Sequence, residues 1–463
     1  MKILFLNPPF GAERPEGLDP PLGIMFLGAV LKEKGHETRL VDHAWVEAGD
    51  WSVWDKALDD GPEAVLVNTQ IRFERDAAEA MRRLRAKRPD LPAAAFGPQA
   101  STEAPRLLGE LGFDVCVIGE PDDVIPAWLA EGAFRPGPGN ASRPGLAGAA
   151  HPVPEPAPRV DMERLPEPDY DLVDYRRYID RTLNAVFLAS RGLNHIDAFY
   201  QPTLIHALNP TRRVSVDKAL AGLQYLRSRF DGRFLLLFHD EAFTEDRNWV
   251  MELCRALPDL KLGLPFWCFT RPDLLDEELT RVMVRAGFAG VSLGLESASD
   301  RVLETLGRGL TRDQILSGFR AARKAGLLIT GSVMIGTPGE TEADLAATVD
   351  MIARHRPDVL TVTLTTPLPG TGLHGRFADR LLIEDPEDFN YYDHRPGRTP
   401  LRLDDLTGGQ LEAALARLRS NWKRGLWRTG VSLARTALRN PPFRRACLGP
   451  ILRVARRKIW KEA

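Results

Sequence analysis

The chain has 463 residues, enough for two or three domains that each bury a core. Its composition, 44% hydrophobic and 27% charged, is typical of globular proteins and excludes wholesale disorder. The formal net charge of −2 gives no reason to expect nucleic acid as a partner.

The four cysteines are Cys116, Cys254, Cys268 and Cys447, and no two of them have the C-x-x-C spacing of a zinc site or redox motif. We therefore expect a reducing, cytoplasmic environment. Met1 leads directly into a strand-length apolar run, and the sequence indicates neither a signal peptide nor an apolar stretch of about 18 residues. The expectation is a cytoplasmic protein that is not integral to a membrane.

Residues 1–135 alternate short apolar runs with helical patterns. Strands are predicted at 2–6, 37–42, 64–68, 93–97 and 114–118, and helices at 22–35, 75–88 and 102–112. Each helical pattern is stopped by Gly or Pro, which suits crossovers between parallel strands. The pattern predicts a doubly wound, Rossmann-like α/β domain.

A stretch rich in Pro, Gly and Ala predicts an interdomain linker at 136–180, because this composition does not sustain a helix or a strand ladder. A second alternating series at 181–375 predicts a partial (β/α)6 barrel of the TIM type. Its strands are predicted at 184–189, 234–239, 264–270, 290–295, 329–335 and 360–365.

Residues 376–463 are predicted to be mostly helical, with 14 Lys and Arg and no acid between Arg417 and Lys461. Such a segment is suited to an anionic membrane surface or to a carrier protein that bears the substrate. The interpretation we favour is a solvated helical face that covers the open side of the barrel.

Open α/β sheets bind ligands beyond the carboxyl ends of their strands, and the loops at these ends are distinctive here. They read NPP from Asn7, PPLG from Pro20, GPQA from Gly97 and GE from Gly119. Any one of them also suits an ordinary strand end. As an ordered set they resemble the cobalamin-binding domain of one large class of radical S-adenosylmethionine (SAM) enzymes.

The resemblance implies that these loops, and the loop after the third strand, contact cobalamin. The residues concerned are Asn7, Pro9, Gly23, Asn68, Thr69, Gly97, Pro98, Gln99, Gly119 and Glu120. The nucleotide tail is expected along Gly97, Pro98 and Gln99, with the cobalt face toward the barrel. His43 is adjacent to Asp42 and departs from the D-x-H-x-x-G motif of other corrinoid proteins, so we assign it no cobalt role.

The second domain resembles the radical SAM barrel of enzymes with this N-terminal domain. The matching stretches are SRG at 190–192, FHDEAFTEDRNW at 238–249, FTR at 269–271, GVSLGLES at 290–297, GSVMIGTPGET at 331–341 and PLPGT at 367–371. They follow one another in the order that the family shows.

This resemblance implies SAM contacts at the ends of the barrel strands. The residues are Asp240, Arg271, Glu296, Ser297, Gly331 and Gly336. Glu296 and Ser297 suit hydrogen bonds to a ribose or methionine group, and Arg271 suits a carboxylate. The alternatives are a structural salt bridge for Arg271 and a helix-capping role for Asp240.

The chain departs from the family at one point. There, SRG is followed by three cysteines, spaced C-x-x-x-C-x-x-C, that hold a four-iron cluster whose fourth iron chelates SAM. Here Leu193, Asp197 and Tyr200 stand at the three positions, and none of them is a thiolate. A replacement metal site that uses His195 or His206 lacks suitable ligand spacing, so no metal held by protein side chains is expected.

The sequence thus predicts an enzyme that uses cobalamin and SAM without an iron–sulfur cluster. Polar cobalt(I)/alkylcobalamin chemistry would transfer a methyl or other alkyl group, or close a ring derived from SAM. The substrate would be a small molecule or SAM itself, and a reductase or carrier protein is a conceivable partner. The alternative is a non-catalytic corrinoid and SAM binder that acts as a partner or sensor.

Overall fold

The computed structural model describes residues 1–8, 19–47, 49–131, 144–148, 157–195, 197–199, 210–232, 234–385, 388–389, 399–424 and 426–448. Two six-stranded sheets organise them. Within this part of the chain, none of the helices combines the length and the apolarity needed to cross a bilayer.

The N-terminal sheet has the strand order β2-β1-β3-β4-β5-β6. Its strands are β1 (Lys2–Asn7), β2 (Glu37–Asp42), β3 (Ala64–Asn68), β4 (Ala93–Phe96), β5 (Val115–Val117) and β6 (Leu146–Gly148). Its helices are α1 (Leu22–Glu33), α2 (Ser52–Asp59), α3 (Glu74–Lys87), α4 (Pro98–Gly109) and α5 (Pro121–Ala130). One apolar core joins α2, α3 and α4 to the sheet, and a second joins α1 and α5 to it. Helices therefore cover both faces, as the doubly wound prediction requires.

Strand β6 was not predicted. It pairs antiparallel with β5 inside the stretch that the sequence assigned to a linker. The prediction that this stretch sustains no ladder was therefore wrong. Leu146 and Ala147 are buried, because this short apolar run finds a free strand edge despite the Pro and Gly around it. The predicted linker boundaries at 136 and 180 stay a prediction.

The second sheet is entirely parallel, in the order β14-β13-β12-β11-β10-β7. Its strands are β7 (Asn184–Phe187), β10 (Leu235–Phe238), β11 (Phe266–Thr270), β12 (Phe288–Glu296), β13 (Leu328–Ile335) and β14 (Val359–Leu364). A short hairpin of β8 (Ser190–Arg191) and β9 (Arg212–Arg213) follows β7. The six predicted barrel strands are present, which confirms the α/β fold class with a partial barrel.

Helices surround this sheet on its outer side. They are α6 (Tyr175–Thr182), α7 (Val216–Arg229), α8 (Arg247–Ala256), α9 (Glu277–Ala286), α10 (Asp300–Thr305), α11 (Arg312–Ala325), α12 (Glu342–His355) and α13 (Gly372–Phe377). Polar caps fix where several of them begin: Asp246 accepts from the Trp249 amide, and Thr341 forms a capping box with Asp344. Each cap ends a loop that starts at the carboxyl end of a strand, so the caps help to place those loops.

The C-terminal region forms α14 (Gly408–Arg424) and α15 (Leu426–Arg439), as the helical prediction for this segment suggested. Ala437 and Phe443 pack with Ala289 and Leu328, which lie at the starts of β12 and β13. Asn440 also donates to the Gly287 carbonyl over 2.9 Å. This end of the chain therefore packs at the amino-terminal end of the barrel, away from the loops that carry the motifs.

Ion pairs join the domain that contains the N-terminal sheet to the domain that contains the barrel sheet. Arg212 donates to both Glu120 oxygens, over 2.5 and 2.7 Å, and Arg191 contacts Asp122 over 2.6 Å. Burial disfavours the charged Glu120, but the bonds and charges of Arg212 and Arg191 outweigh it and lower the pKa of Glu120. The carboxyl end of the N-terminal sheet is thereby tied to the segments that follow β7.

We expect Arg212→Ala to lower the free energy of unfolding by about 3–5 kcal/mol, because it leaves Glu120 buried and charged without its partner. Urea unfolding of the whole chain measures the loss. The matched control is Arg164→Ala, since Arg164 is 88% exposed and pairs with Asp161 on the surface; its cost should stay below about 1 kcal/mol. Equal losses in the two variants would contradict a buried interdomain pair.

Candidate functional site

The loops with the motifs meet where the two domains face each other. Asp42, at the end of β2, accepts a hydrogen bond of 2.6 Å from Tyr178 on α6. His239, which directly follows β10, lies 3.2 Å from Asp19, just before α1. The carboxyl edge of the N-terminal sheet therefore faces the carboxyl end of the barrel, which is where both cofactors were predicted.

A buried cluster of charges surrounds Asp197. Its Oδ2 atom accepts from Arg308 Nη1 over 2.6 Å, and its Oδ1 atom lies 3.7 Å from Arg271 Nη1. Arg271 also donates to the carbonyl of Arg308 over 3.1 Å. Burial raises the pKa of Asp197, and the charges of Arg308 and Arg271 act against that rise. The second predicted cysteine position thus carries a carboxylate that is already engaged with guanidinium groups.

Glu296 ends β12 beside this cluster. Its backbone has φ of 51°, a left-handed conformation that non-glycine residues seldom adopt. A side chain on Gly294 would place its Cβ 2.5 Å from Glu296 Oε1 and 2.9 Å from Arg308 Nη2, so the glycine makes room for both. Burial raises the pKa of Glu296 to about 7, although Arg308 opposes the rise. Glu296 therefore exchanges a proton near neutral pH.

The other side of Arg271 is held by Asp273. Its Nε atom donates to Asp273 Oδ1 over 3.2 Å, and its Nη2 atom lies 3.4 Å from Asp273 Oδ2. Arg271 Nη1 and Asp197 Oδ1 are both buried, and neither has a hydrogen-bond partner among the described residues. The arginine therefore has one donor nitrogen, with two N–H groups, left for a ligand.

Asp240 lies two residues after the end of β10. It is fully buried, accepts from the Ser190 hydroxyl and lies 3.7 Å from Arg213 Nη1. Burial raises its pKa, and Arg213 opposes the rise. Because these partners occupy Asp240, it supports the loop that begins with SRG; its contact with SAM stays a prediction.

The three remaining residues that were predicted to contact SAM are Ser297, Gly331 and Gly336. Gly331 lies on β13, Gly336 directly follows it, and Ser297 lies beside α12. Ser297 lies 3.1 Å from the Thr348 hydroxyl, so its side chain faces the helix. A Cβ on Gly331 would lie 2.8 Å from Leu295, which accounts for a glycine there by packing. The Gly336 amide donates to Glu340 over 2.7 Å, and burial raises the pKa of Glu340 to about 7.

At the carboxyl edge of the N-terminal sheet, amide side chains form a chain across the strands. Asn68 donates to Asn7 over 3.4 Å, and Asn7 donates to Asp42 over 3.0 Å. Gly97 has φ of 105°, and a Cβ there would lie 2.6 Å from Asn68 Oδ1 and 2.9 Å from the Thr69 carbonyl. Only glycine lets the chain pass this closely.

Gln99 is fully buried at the same edge. It donates to Glu74 over 2.6 Å and keeps its Oε1 atom without a partner among the described residues. Pro98 opens α4, and Gly23 lies in the first turn of α1. A group that carries amides on its rim, as cobalamin does, matches the unpaired oxygen of Gln99 and the amide of Asn68.

Gly119 and Glu120 are engaged by groups of the protein itself in this structure. The Gly119 amide donates to Ser101 over 3.0 Å, and a Cβ on it would lie 3.3 Å from Ala157. The Glu120 carboxylate is occupied by Arg212 and by the Val160 amide. The prediction that Gly119 and Glu120 contact cobalamin stays a prediction, and both residues already make these contacts within the protein.

The described residues include two of the three positions at which the family that the sequence resembles has cysteines. Leu193 is buried, Asp197 is engaged as above, and Tyr200 lies outside the described residues, as do Pro9 and His206. Cys116, Cys254 and Cys268 are buried, and burial raises the pKa of each thiol. Among the described residues, no three His, Cys, Asp or Glu side chains group together as ligands for a metal ion.

Sequence reasoning missed Arg308 and Glu340. Arg308 lies between Gly307 and Gly309, both of which have positive φ, in the turn after α10. A Gly-Arg-Gly turn after a strand-end motif was the available signal, but nothing in the sequence shows that it points back to Asp197. Glu340 belongs to the GTPGE turn that the sequence had already marked as part of the SAM region.

Residues 205–352 match the model of the radical SAM superfamily. The chain is 29% identical over 225 residues to an uncharacterised methyltransferase of Pyrococcus horikoshii, a match that covers 48% of this chain and 49% of that protein. It is 25% identical over 445 residues to the anaerobic magnesium-protoporphyrin IX monomethyl ester cyclase of Rubrivivax gelatinosus, covering 92% and 77%. The match thus spans about half the length of the Pyrococcus relative.

Two solved structures share the fold over 91% of this chain. The radical SAM methyltransferase TsrM of Kitasatospora setae, solved with tryptophan and a SAM analogue, has a TM-score of 0.71 at 17% identity over 91% of this chain and 89% of TsrM. The cobalamin-dependent SAM radical enzyme OxsB, solved with aqua-cobalamin and SAM, has a TM-score of 0.64 at 15% identity over 91% of this chain and 56% of OxsB. These likenesses establish the fold that the sequence predicted.

We expect Glu296→Gln to raise the free energy of unfolding at pH 8 by about 3 kcal/mol, and by much less at pH 5, because each unit of pKa rise is worth roughly 1.4 kcal/mol. The folded chain holds a proton on Glu296 up to about pH 7. Holding this proton adds to the free energy of unfolding. The contribution is fully present below the usual Glu pKa and is lost as the pH rises toward 7.

Urea unfolding of the wild-type protein and of the Glu296→Gln variant, at pH 5 and at pH 8, measures the effect. The control is Glu304→Gln, since Glu304 is exposed on α10. An advantage of Glu296→Gln that is the same at pH 5 and pH 8 would contradict a buried Glu296 with a raised pKa.

Proposed function

We propose that the protein is a cobalamin- and SAM-dependent enzyme that works without an iron–sulfur cluster. The observation that carries this proposal is the side chain at the second cysteine position. Asp197 is a carboxylate, its Oδ2 atom is paired with Arg308 over 2.6 Å, and Arg271 stands beside it. Iron–sulfur clusters are held by thiolates, and a carboxylate committed to guanidinium groups offers none.

The neighbouring position supports the same proposal. Leu193 is a buried apolar side chain where the family has its first cysteine. The described thiols of Cys254 and Cys268 are also buried, and they belong to the apolar core of the barrel. Neither is a candidate to replace Leu193 as a cluster ligand.

Cobalamin would lie on the carboxyl edge of the N-terminal sheet. The residues proposed to hold it are Asn7, Asn68, Thr69, Gly97, Pro98 and Gln99. When bound and reduced, it would supply a strong cobalt nucleophile, a group suited to accept an alkyl group from a sulfonium. TsrM and OxsB, whose fold this chain shares, were solved with cobalamin bound.

SAM would lie at the carboxyl end of the barrel, against Arg271 and Glu296. Arg271 keeps one unpaired donor there, and Glu296 changes its charge near neutral pH. Asp240, Ser297, Gly331 and Gly336 are proposed as further contacts. The protein's contribution is to orient SAM toward the facing domain and to exclude water from the gap.

The reaction would be a polar transfer of a methyl or other alkyl group from SAM, or the closure of a ring derived from it. The names of the relatives include both methyltransferases and cyclases, and they describe those proteins alone. The second candidate function is a non-catalytic binder of corrinoid and SAM. The internal contacts of Ser297 and Asp240 favour it, since they occupy two of the predicted ligand contacts.

Turnover in the absence of iron tests the proposal. The full chain is loaded with hydroxocobalamin in buffer with an iron chelator, then incubated with SAM and titanium(III) citrate, and SAM is followed by mass spectrometry. We expect the corrinoid to elute with the protein and SAM to be consumed. Omission of hydroxocobalamin should stop consumption, and treatment with iron and sulfide should leave the rate unchanged.

The outcomes separate the candidate functions. Corrinoid binding without SAM consumption would favour the non-catalytic binder over the enzyme. Consumption that appears only after treatment with iron and sulfide would contradict the cluster-free mechanism. Failure to retain corrinoid would contradict the role proposed for the N-terminal domain.

A further inference from the structure

Two unpaired atoms of opposite charge face each other at the carboxyl end of the barrel. Asp197 Oδ1 and Arg271 Nη1 lie 3.7 Å apart, which is too far for a hydrogen bond. Their side chains are 10% and 6% exposed, and neither atom has a partner among the described residues. Buried charged atoms without partners are costly, so the pair points to a ligand that completes it.

The neighbours of the two side chains explain why they do not close the gap. Asp197 is held through its other oxygen by Arg308 Nη1 over 2.6 Å. Arg271 is held through Nε and Nη2 by Asp273 and by the Arg308 carbonyl. Arg308 in turn donates to the Gly294 carbonyl over 3.2 Å. The acceptor Asp197 Oδ1 and the donor nitrogen Arg271 Nη1 therefore lie side by side in a preformed arrangement, and Arg308 Nε in the same cluster also lacks a partner among the described residues.

The charges around Asp197 Oδ1 and Arg271 Nη1 indicate what kind of ligand binds there. While Glu296 beside them is protonated, Arg271 and Arg308 bring two positive charges, and Asp197 and Asp273 bring two negative ones. A simple anion would meet the Asp197 carboxylate, and a simple cation would meet Arg271. A zwitterion adds no net charge to this balanced cluster, and it offers an ammonium to the acceptor and a carboxylate to the donor.

We propose that Asp197 and Arg271 bind the free α-amino acid end of SAM. Arg271 Nη1 donates to its carboxylate, Asp197 Oδ1 accepts from its ammonium, and Arg308 is a positioning residue that orients Asp197. This inference rests on the proposed function, in which SAM binds at this end of the barrel. The aspartate and arginine would then do in this chain what the cluster iron does in the family that the sequence resembles.

The test compares ligands before it compares variants. Calorimetric titration of the full chain, loaded with hydroxocobalamin, measures the affinities of SAM and of decarboxylated SAM, which lacks the carboxylate but keeps the sulfonium and the amine. We expect the loss of the carboxylate to weaken binding at least about tenfold, since a hydrogen bond between charged groups is worth about 1.5–3 kcal/mol. This comparison needs no substitution, so misfolding cannot explain its result.

Variants then test which residue is responsible for the preference for SAM over decarboxylated SAM. In Arg271→Gln the ratio of the two affinities should fall toward one, while the control Arg247→Gln, on the outer surface, should keep the wild-type ratio. Asp197→Asn should weaken binding of both ligands, because both carry the ammonium. The spectrum of bound hydroxocobalamin reports that each variant is folded.

The results distinguish this inference from the proposed function. Equal affinity of the wild-type chain for SAM and decarboxylated SAM would overturn the zwitterion site and leave the proposed function standing. An unchanged preference in Arg271→Gln would overturn the role of Arg271. Bound hydroxocobalamin with no measurable SAM binding would overturn both the site and the SAM-dependent function.

Discussion

In the proposed function, the chemistry of this protein depends on the ion pair between Asp197 and Arg308. A thiolate at this position would bind iron, whereas the carboxylate binds a guanidinium group over 2.6 Å and brings Arg271 to its other side. The pair is buried, and a buried charge is retained only with partners that compensate it. In the proposed function, this network of charges stands where the family that the sequence resembles has a thiolate ligand.

The rest of the structure places that network opposite the N-terminal sheet. The pairs of Arg212 with Glu120 and of Arg191 with Asp122 join the edge of the sheet to the segments that follow β7. Tyr178 adds a third connection, to Asp42 at the end of β2. The carboxyl ends of both sheets thus face each other, and in the proposed function cobalamin and SAM meet there.

Much of the fold was predictable because each buried strand is a short apolar run that ends in Gly, Pro or a polar residue. All six barrel strands were predicted within two residues of their ends, from Asn184 to Leu364. Strand β6 was missed because Leu146–Gly148 gains its stability from pairing with β5, a partner that composition does not reveal. The kind of pairing at a strand edge depends on tertiary contacts.

The site was predictable only where a residue follows directly from a strand end. Arg271 and Glu296 belong to strand-end motifs, and the structure brings both beside Asp197. Arg308 reaches the same place from a turn between α10 and α11, more than a hundred residues from Asp197 along the chain. Contacts over such separations follow from packing of the barrel, and a single sequence does not reveal them.

A crystal structure of the chain with hydroxocobalamin and SAM, with diffraction data collected at the cobalt and iron edges, tests the central claim most directly. We predict a cobalt signal at the carboxyl edge of the N-terminal sheet, SAM with its sulfonium facing that cobalt, and no iron signal beside Asp197. An iron cluster in the loop after β8, or SAM bound with its sulfonium turned away from the cobalt, would contradict the account.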